Sequence, residues 1–288
     1  MSAPGSIAAM GQGLGPDVLD ACRRAYDAEQ GELMRAVPLA AGDLPYGPAE
    51  RQVLDVYAPR RASGPAPVIA FFHGGGFIRG DKGGADRWHN ASVGRMAAQA
   101  GMMGVVANYR LAPDHPFPAG AEDVAGVVDW LRANAREHGG DPDHIMLVGT
   151  SAGAVHVAGY LKLRAQTAEQ EIAGAVLLSG LYGYTPLERA DFDYYGPQEG
   201  YAARAPRGAL VATKVPLLVA CSQYDPPRFQ SEFLSLMRDR LERHGTMPES
   251  FIGTGHNHYS LAMHLGTSDR RLADAIADFT KRCSRSQP

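Results

Sequence analysis

The chain of 288 residues is 45% hydrophobic and 20% charged, with a formal net charge of -3. That length suits one large α/β domain, the Lys and Arg residues form no stripe that would draw nucleic acid, and no apolar run approaches the roughly 18 residues a membrane span needs. Three cysteines, Cys22, Cys221 and Cys283, lack metal-ligand spacing and suit reduced thiols in a cytoplasm.

Residues 1–48 follow no clear period. The segment from Met1 to Gly15 carries no Lys or Arg, so it lacks the charged start of a secretory signal and reads as a loose terminus. Beyond it, short apolar runs alternate with helical patterns. Strands are expected at 52–57, 67–72, 103–109, 145–149, 175–179, 215–220 and 249–252, and helices at 85–100, 121–138, 152–165, 228–245 and 268–282. Val124, Val127, Val128 and Leu131, at spacings of three and four, mark the second helix as a core-facing crossover. Gly139, Gly140, Asp141 and Pro142 form the turn that follows. Continuous apolar strands point to a sheet buried on both faces. The order therefore predicts an α/β fold: a mostly parallel, doubly wound sheet flanked by helices, in a single domain over 1–288. Residues 1–48 and 181–213 are expected as lid pieces. In the latter, Tyr182, Tyr184, Tyr194, Tyr195 and Tyr201 offer aromatic surface for an acyl or aryl pocket.

Two glycine-rich motifs carry chemistry. Gly149-Thr150-Ser151-Ala152-Gly153 reads G-x-S-x-G and lies between a strand and a helix, the context in which a sharp turn pushes a serine hydroxyl above a sheet. His73-Gly74-Gly75-Gly76 follows the strand ending at Phe72 and occupies the H-G-G-G oxyanion position. There the amides of Gly75 and Gly76, with that of Ala152, can converge on one oxygen. His73 is expected to brace this loop. The spacing of Gly74, Gly75, Gly76, Gly80, Gly83 and Gly84 matches neither phosphate-loop pattern.

With these motifs the sequence resembles the hormone-sensitive-lipase-like and kynurenine-formamidase-like branches of the α/β hydrolases. The resemblance extends to Leu54-Asp55-Val56-Tyr57, to Asn108-Tyr109-Arg110-Leu111-Ala112-Pro113-Asp114-His115-Pro116-Phe117-Pro118 and to Glu122-Asp123-Val124. It implies a serine carboxylesterase with Ser151 as nucleophile, Asp225 after a late strand as acid, and a histidine in Gly255-His256-Asn257-His258-Tyr259-Ser260 as base. His258 with Tyr259 fits the formamidase-like pattern and His256 the lipase-like one; His258 is favoured, and the spacing from Asp225 does not separate them. A small formyl amide is the alternative substrate, and a noncatalytic ligand-binding relative is a further alternative. The His256-x-His258 pair could hold a metal, but no third ligand is evident nearby in sequence, so neither metal nor cofactor is expected. His89, His115, His138, His144 and His156 are read as surface or packing residues. The expected partner is a small ester or amide, with no nucleic acid, and the reading is compatible with a homodimer.

Overall fold

The computed structural model describes residues 4–59 and 64–283. Eight strands form one sheet: β1 (Ala41–Pro45), β2 (Val53–Tyr57), β3 (Ala66–Phe72), β4 (Met103–Ala107), β5 (Gly140–Thr150), β6 (Gly174–Leu178), β7 (Leu217–Tyr224) and β8 (Glu249–Asn257). Their spatial order is β1-β2-β4-β3-β5-β6-β7-β8. From β4 to β8 neighbours run parallel, while β1 and β2 pair antiparallel at one edge. The helices that cover the sheet include α1 (Pro4–Met10), α2 (Pro16–Ala36), α3 (Ala91–Gln99), α4 (Ala119–Asn134) and α5 (Ala152–Leu163), then Pro227–His244 and Arg271–Arg282.

The period of two along β3 divides the core. Val68, Ala70 and Phe72 pack with Leu147, with Val124, Val127 and Leu131 of α4, and with Val157 and Leu161 of α5. Ile69 and Phe71 face the other way, against Val93 and Met96 of α3 and Leu272, Ile276 and Phe279 of the last helix. Both faces are covered, which is why the central strands read as unbroken apolar runs.

Several elements depart from the sequence reading. From Pro4 onward the N-terminal segment is not loose: Ile7 is fully buried against Cys22, Tyr26 and Trp88. Residues 1–3 lie outside the described residues. The long helix α2 was not expected. It buries Cys22, Tyr26, Gln30 and Leu33, and the Gln30 amide donates to the carbonyls of Met263 and Leu265 at 2.8 and 2.9 Å. Helix α3 begins at Ala91 rather than 85, because the buried Arg95 guanidinium donates to the carbonyls of Gly84 and Ala85 and holds that stretch open as a loop. The turn expected at 139–142 contracts, since Gly140 already pairs with Ala66 as the start of β5. Residues 181–213 form short helical turns at Arg189–Asp191, Phe192–Tyr195, Tyr201–Arg204 and Arg207–Ala212. Among the described residues no helix is long and apolar enough to cross a membrane.

Candidate active site

Five adjacent strands, β3, β5, β6, β7 and β8, end along one rim of the sheet. Each is followed at once by a polar residue: His73, Ser151, Ser179, Asp225 and His258. Ligands of open parallel sheets bind at this carboxyl rim.

Ser151 sits in the turn between β5 and α5 with φ 52 and ψ -120, a region that side chains seldom occupy. Its amide donates to the Leu178 carbonyl at 2.8 Å. The flanking glycines make the turn fit. A β-carbon on Gly153 would lie 2.1 Å from the Phe72 carbonyl oxygen, and one on Gly149 would lie 2.4 Å from the Gly153 carbonyl oxygen. The helix can thus press against β3 only while both positions are bare.

The Ser151 hydroxyl donates to His258 Nε2 at 3.0 Å. On the far side of the ring, His258 Nδ1–H donates to Asp225 Oδ1 at 2.7 Å. Of the two candidate histidines, the structure therefore brings His258, not His256, to the serine and the carboxylate. Phe229 covers the imidazole, with ring centroids 4.3 Å apart. Asp225 is fully buried. Burial alone would push its carboxyl up, yet hydrogen bonds from His258, Ser179 and the Ser222 amide outweigh that and hold it below the ordinary value. The Ser179 hydroxyl donates to Oδ2 at 2.6 Å and the Ser222 amide to the same oxygen at 2.7 Å. Ser179 was missed as a site residue. Its only signal is its place at the end of an apolar strand, one that it shares with Ser151.

The glycine loop expected to hold an oxyanion follows β3. Gly75, at φ 140, could not carry a β-carbon, which would lie 1.9 Å from the Arg79 carbonyl oxygen. Among the described residues no protein group accepts from the amides of Gly75, Gly76 or Ala152, and all three residues line the same cavity as Ser151. His73 is buried, stacks on Tyr109 at 4.3 Å and donates from Nδ1 to the Gly74 carbonyl at 2.7 Å. The Tyr109 hydroxyl in turn donates to the His73 carbonyl at 2.8 Å. Burial lowers His73 to about 4, so the ring braces the loop as a neutral group.

The cavity above the serine measures about 410 Å³. Leu14, Leu19 and Arg23 of the N-terminal segment and Leu181, Glu188, Ala190 and Asp191 of the second segment contribute to its walls. Contrary to expectation, none of the five tyrosines of 181–213 lines it. Tyr194, Tyr195 and Tyr201 instead pack with Phe77, Ala112 and Val155 in a small core under the loop. His89, read as surface or packing, does line the cavity.

His256 points elsewhere. Its Nδ1 meets the Ser260 hydroxyl at 3.1 Å and its Nε2 meets Asp269 Oδ2 at 3.2 Å, while its ring stacks on His264 at 4.0 Å. The His256-x-His258 pair is thus split between two places, and His256 lies instead with His264 and Asp269, the ligand atoms of the three being within 4.8 Å of one another. The Asp269 carboxylate is already engaged by Arg271 at 2.5 Å, which competes with any cation there.

Among curated proteins, esterase LipI of Mycobacterium tuberculosis is 36% identical over 43% of this chain and 37% of its own length. Esterase LipQ of the same organism is 28% identical over 82% of this chain and 61% of its own. The chain thus spans less than two thirds of either relative. The solved structure of EstE1, a thermostable carboxylesterase cloned from a metagenomic library, superposes with a TM-score of 0.71 at 23% identity, covering 94% of this chain and 98% of that one; this is likeness of fold. A family model for the alpha/beta hydrolase fold matches residues 69–259, from β3 through the histidine after β8, and the chain belongs to that family.

Proposed function

We propose that the protein is a serine carboxylesterase that hydrolyses small carboxylic esters through Ser151, His258 and Asp225. The observation that carries this reading is the continuous relay of Ser151 Oγ to His258 Nε2 at 3.0 Å and His258 Nδ1 to Asp225 Oδ1 at 2.7 Å. The hydroxyl attacks the ester carbonyl as its proton passes to Nε2, and the buried carboxylate stabilises the imidazolium that results. Negative charge on the former carbonyl oxygen is received by the amides of Gly75, Gly76 and Ala152. Collapse expels the alcohol, protonated by His258. Water, deprotonated by the same ring, then releases the acid from the acyl-serine. The naming of the curated relatives as esterases supports this class, and no step requires a cofactor. Unpaired Cys22, Cys221 and Cys283 suit a reducing, cytoplasmic setting.

The test is a panel of initial rates on p-nitrophenyl butyrate and N-formylkynurenine with wild type, Ser151→Ala, His258→Ala and His256→Ala. Ester turnover should fall by up to ~10⁶-fold in the first two variants and persist in the third. A fully active, folded Ser151→Ala protein would sink the assignment. Preference for the formyl amide would move the protein to amide hydrolysis.

A further inference from the structure

The cavity is lined by charges of both signs. On the side of residues 181–213, Arg228 lies between Asp191 at 2.7 Å and Glu188 at 3.5 Å, so its charge is answered within the wall. Arg23 from α2, Arg79 from the loop after Gly76, and His89 also line the cavity. No carboxylate other than Glu188 and Asp191 lines it. Arg79 lines the cavity, is exposed and makes no ion pair among the described residues. Arg23 has one half-exposed partner outside the cavity, Asp20 at 3.1 Å, and its Nε is buried without an acceptor. Both guanidinium groups are close enough to act on the Tyr259 hydroxyl, beside the proposed base, and Arg23 also acts on His89. Asp17 acts on Tyr259, and Asp27 and Asp81 act on His89, but none of the three lines the cavity.

A net positive lining in a protein of net charge -3 is a local arrangement rather than the spill of a basic surface. Solvated arginines need no such placement. Two guanidinium groups lining one cavity, one with a buried Nε that has no acceptor, suit the recognition of an oxyanion.

We propose that Arg23 and Arg79, with His89 beside them, form an anion-binding subsite, so that the preferred substrate is an ester bearing a carboxylate or similar oxyanion away from its scissile bond. This rests on the esterase reading above and narrows its substrate class. Arg79 is the more exposed of the two donors, and Arg23 contributes a buried Nε. Leu14, Leu19 and Met263 add apolar lining to the same cavity.

The experiment uses two matched pairs of esters. Mono-p-nitrophenyl adipate and its methyl-capped diester place the charge on the acyl side; 4-acetoxybenzoate and its methyl ester place it on the alcohol side. Selectivity is kcat/KM for the charged member over the neutral one, measured for wild type, Arg79→Gln, Arg79→Glu and Arg23→Gln. In at least one pair wild type should favour the anion, and either Gln variant should lower that ratio about tenfold, the worth of a lost charge-assisted hydrogen bond. Arg79→Glu should reverse the preference, a result that unfolding cannot mimic because both esters report on the same active protein. The wild-type ratio should also shrink as salt is raised. Cleavage of the neutral esters with a ratio near one in every variant would overturn the subsite while leaving the esterase reading intact. Absence of Ser151-dependent cleavage of all four esters would overturn both.

Discussion

Ser179 illustrates how much of the site rests on a residue that never meets substrate. It holds φ 48, a strained value for a side-chain-bearing residue, and its hydroxyl reaches the one carboxylate oxygen that His258 leaves to other donors. Removing that donor lets the Asp225 carboxyl rise towards its ordinary value, because the hydrogen bonds that offset burial are fewer. In the proposed mechanism the ionised carboxylate stabilises the imidazolium, so Ser179→Ala should slow the chemical step rather than weaken substrate binding. We expect kcat to fall roughly tenfold with KM little changed. Ser179→Gly relieves the backbone while also removing the hydroxyl; if it restored wild-type rates, the serine would matter only for its backbone. The serine of G-x-S-x-G and the glycines after His73 were legible in sequence because each motif must sit at a strand end. Ser179 was not, since a lone serine closing an apolar run looks like any strand terminus.

At the level of elements, the N-terminal segment clamps the histidine loop. Gln30 binds the carbonyls of Met263 and Leu265, Cys22 contacts Asn257 at 3.5 Å, and the Tyr259 hydroxyl donates to the Leu14 carbonyl at 2.6 Å. Gln30→Ala would leave two carbonyls short of a donor in a buried setting. It should destabilise the fold by about 1–3 kcal/mol, seen as a lower urea midpoint; an unchanged midpoint would show that α2 does not depend on this bond. Helix α2 escaped the sequence reading for the same reason. Its buried stripe is Cys22, Tyr26, Gln30 and Leu33, so a polar residue stands where periodicity demands an apolar one. Strand β1 was missed because it is a half-exposed edge with a register shift and no alternation. The tyrosines of 181–213 do not supply pocket surface: Tyr194, Tyr195 and Tyr201 pack around Phe77, while Tyr182 and Tyr184 join the core of the sheet. Sequence carries no sign of which side of a wall a ring will occupy.

Across the whole molecule, buried neutral histidines couple folding to acidity. Burial lowers His73 to about 4, His156 to about 3 and His264 to about 4 from an ordinary 6.5. The unfolded chain therefore takes up protons first as pH falls below 6.5, and the stability present above that value is lost progressively towards pH 4. His156 is the clearest case: both ring nitrogens lack hydrogen-bond partners, and Phe77, Tyr109 and Tyr194 surround it. In His156→Phe the drop in Tm between pH 7.5 and pH 5 should be smaller than in wild type. An identical drop would mean that His156 does not contribute to the acid sensitivity.

The rim of five strand ends also sets a timetable for biosynthesis. Ser151 and His258 meet across the sheet but are 107 residues apart along the chain. At ribosomal speeds the serine is made roughly 5–20 s before its base. Under the proposed mechanism the nascent chain carries an inert hydroxyl throughout that interval, and acyl transfer must wait for β8 and the histidine that follows it.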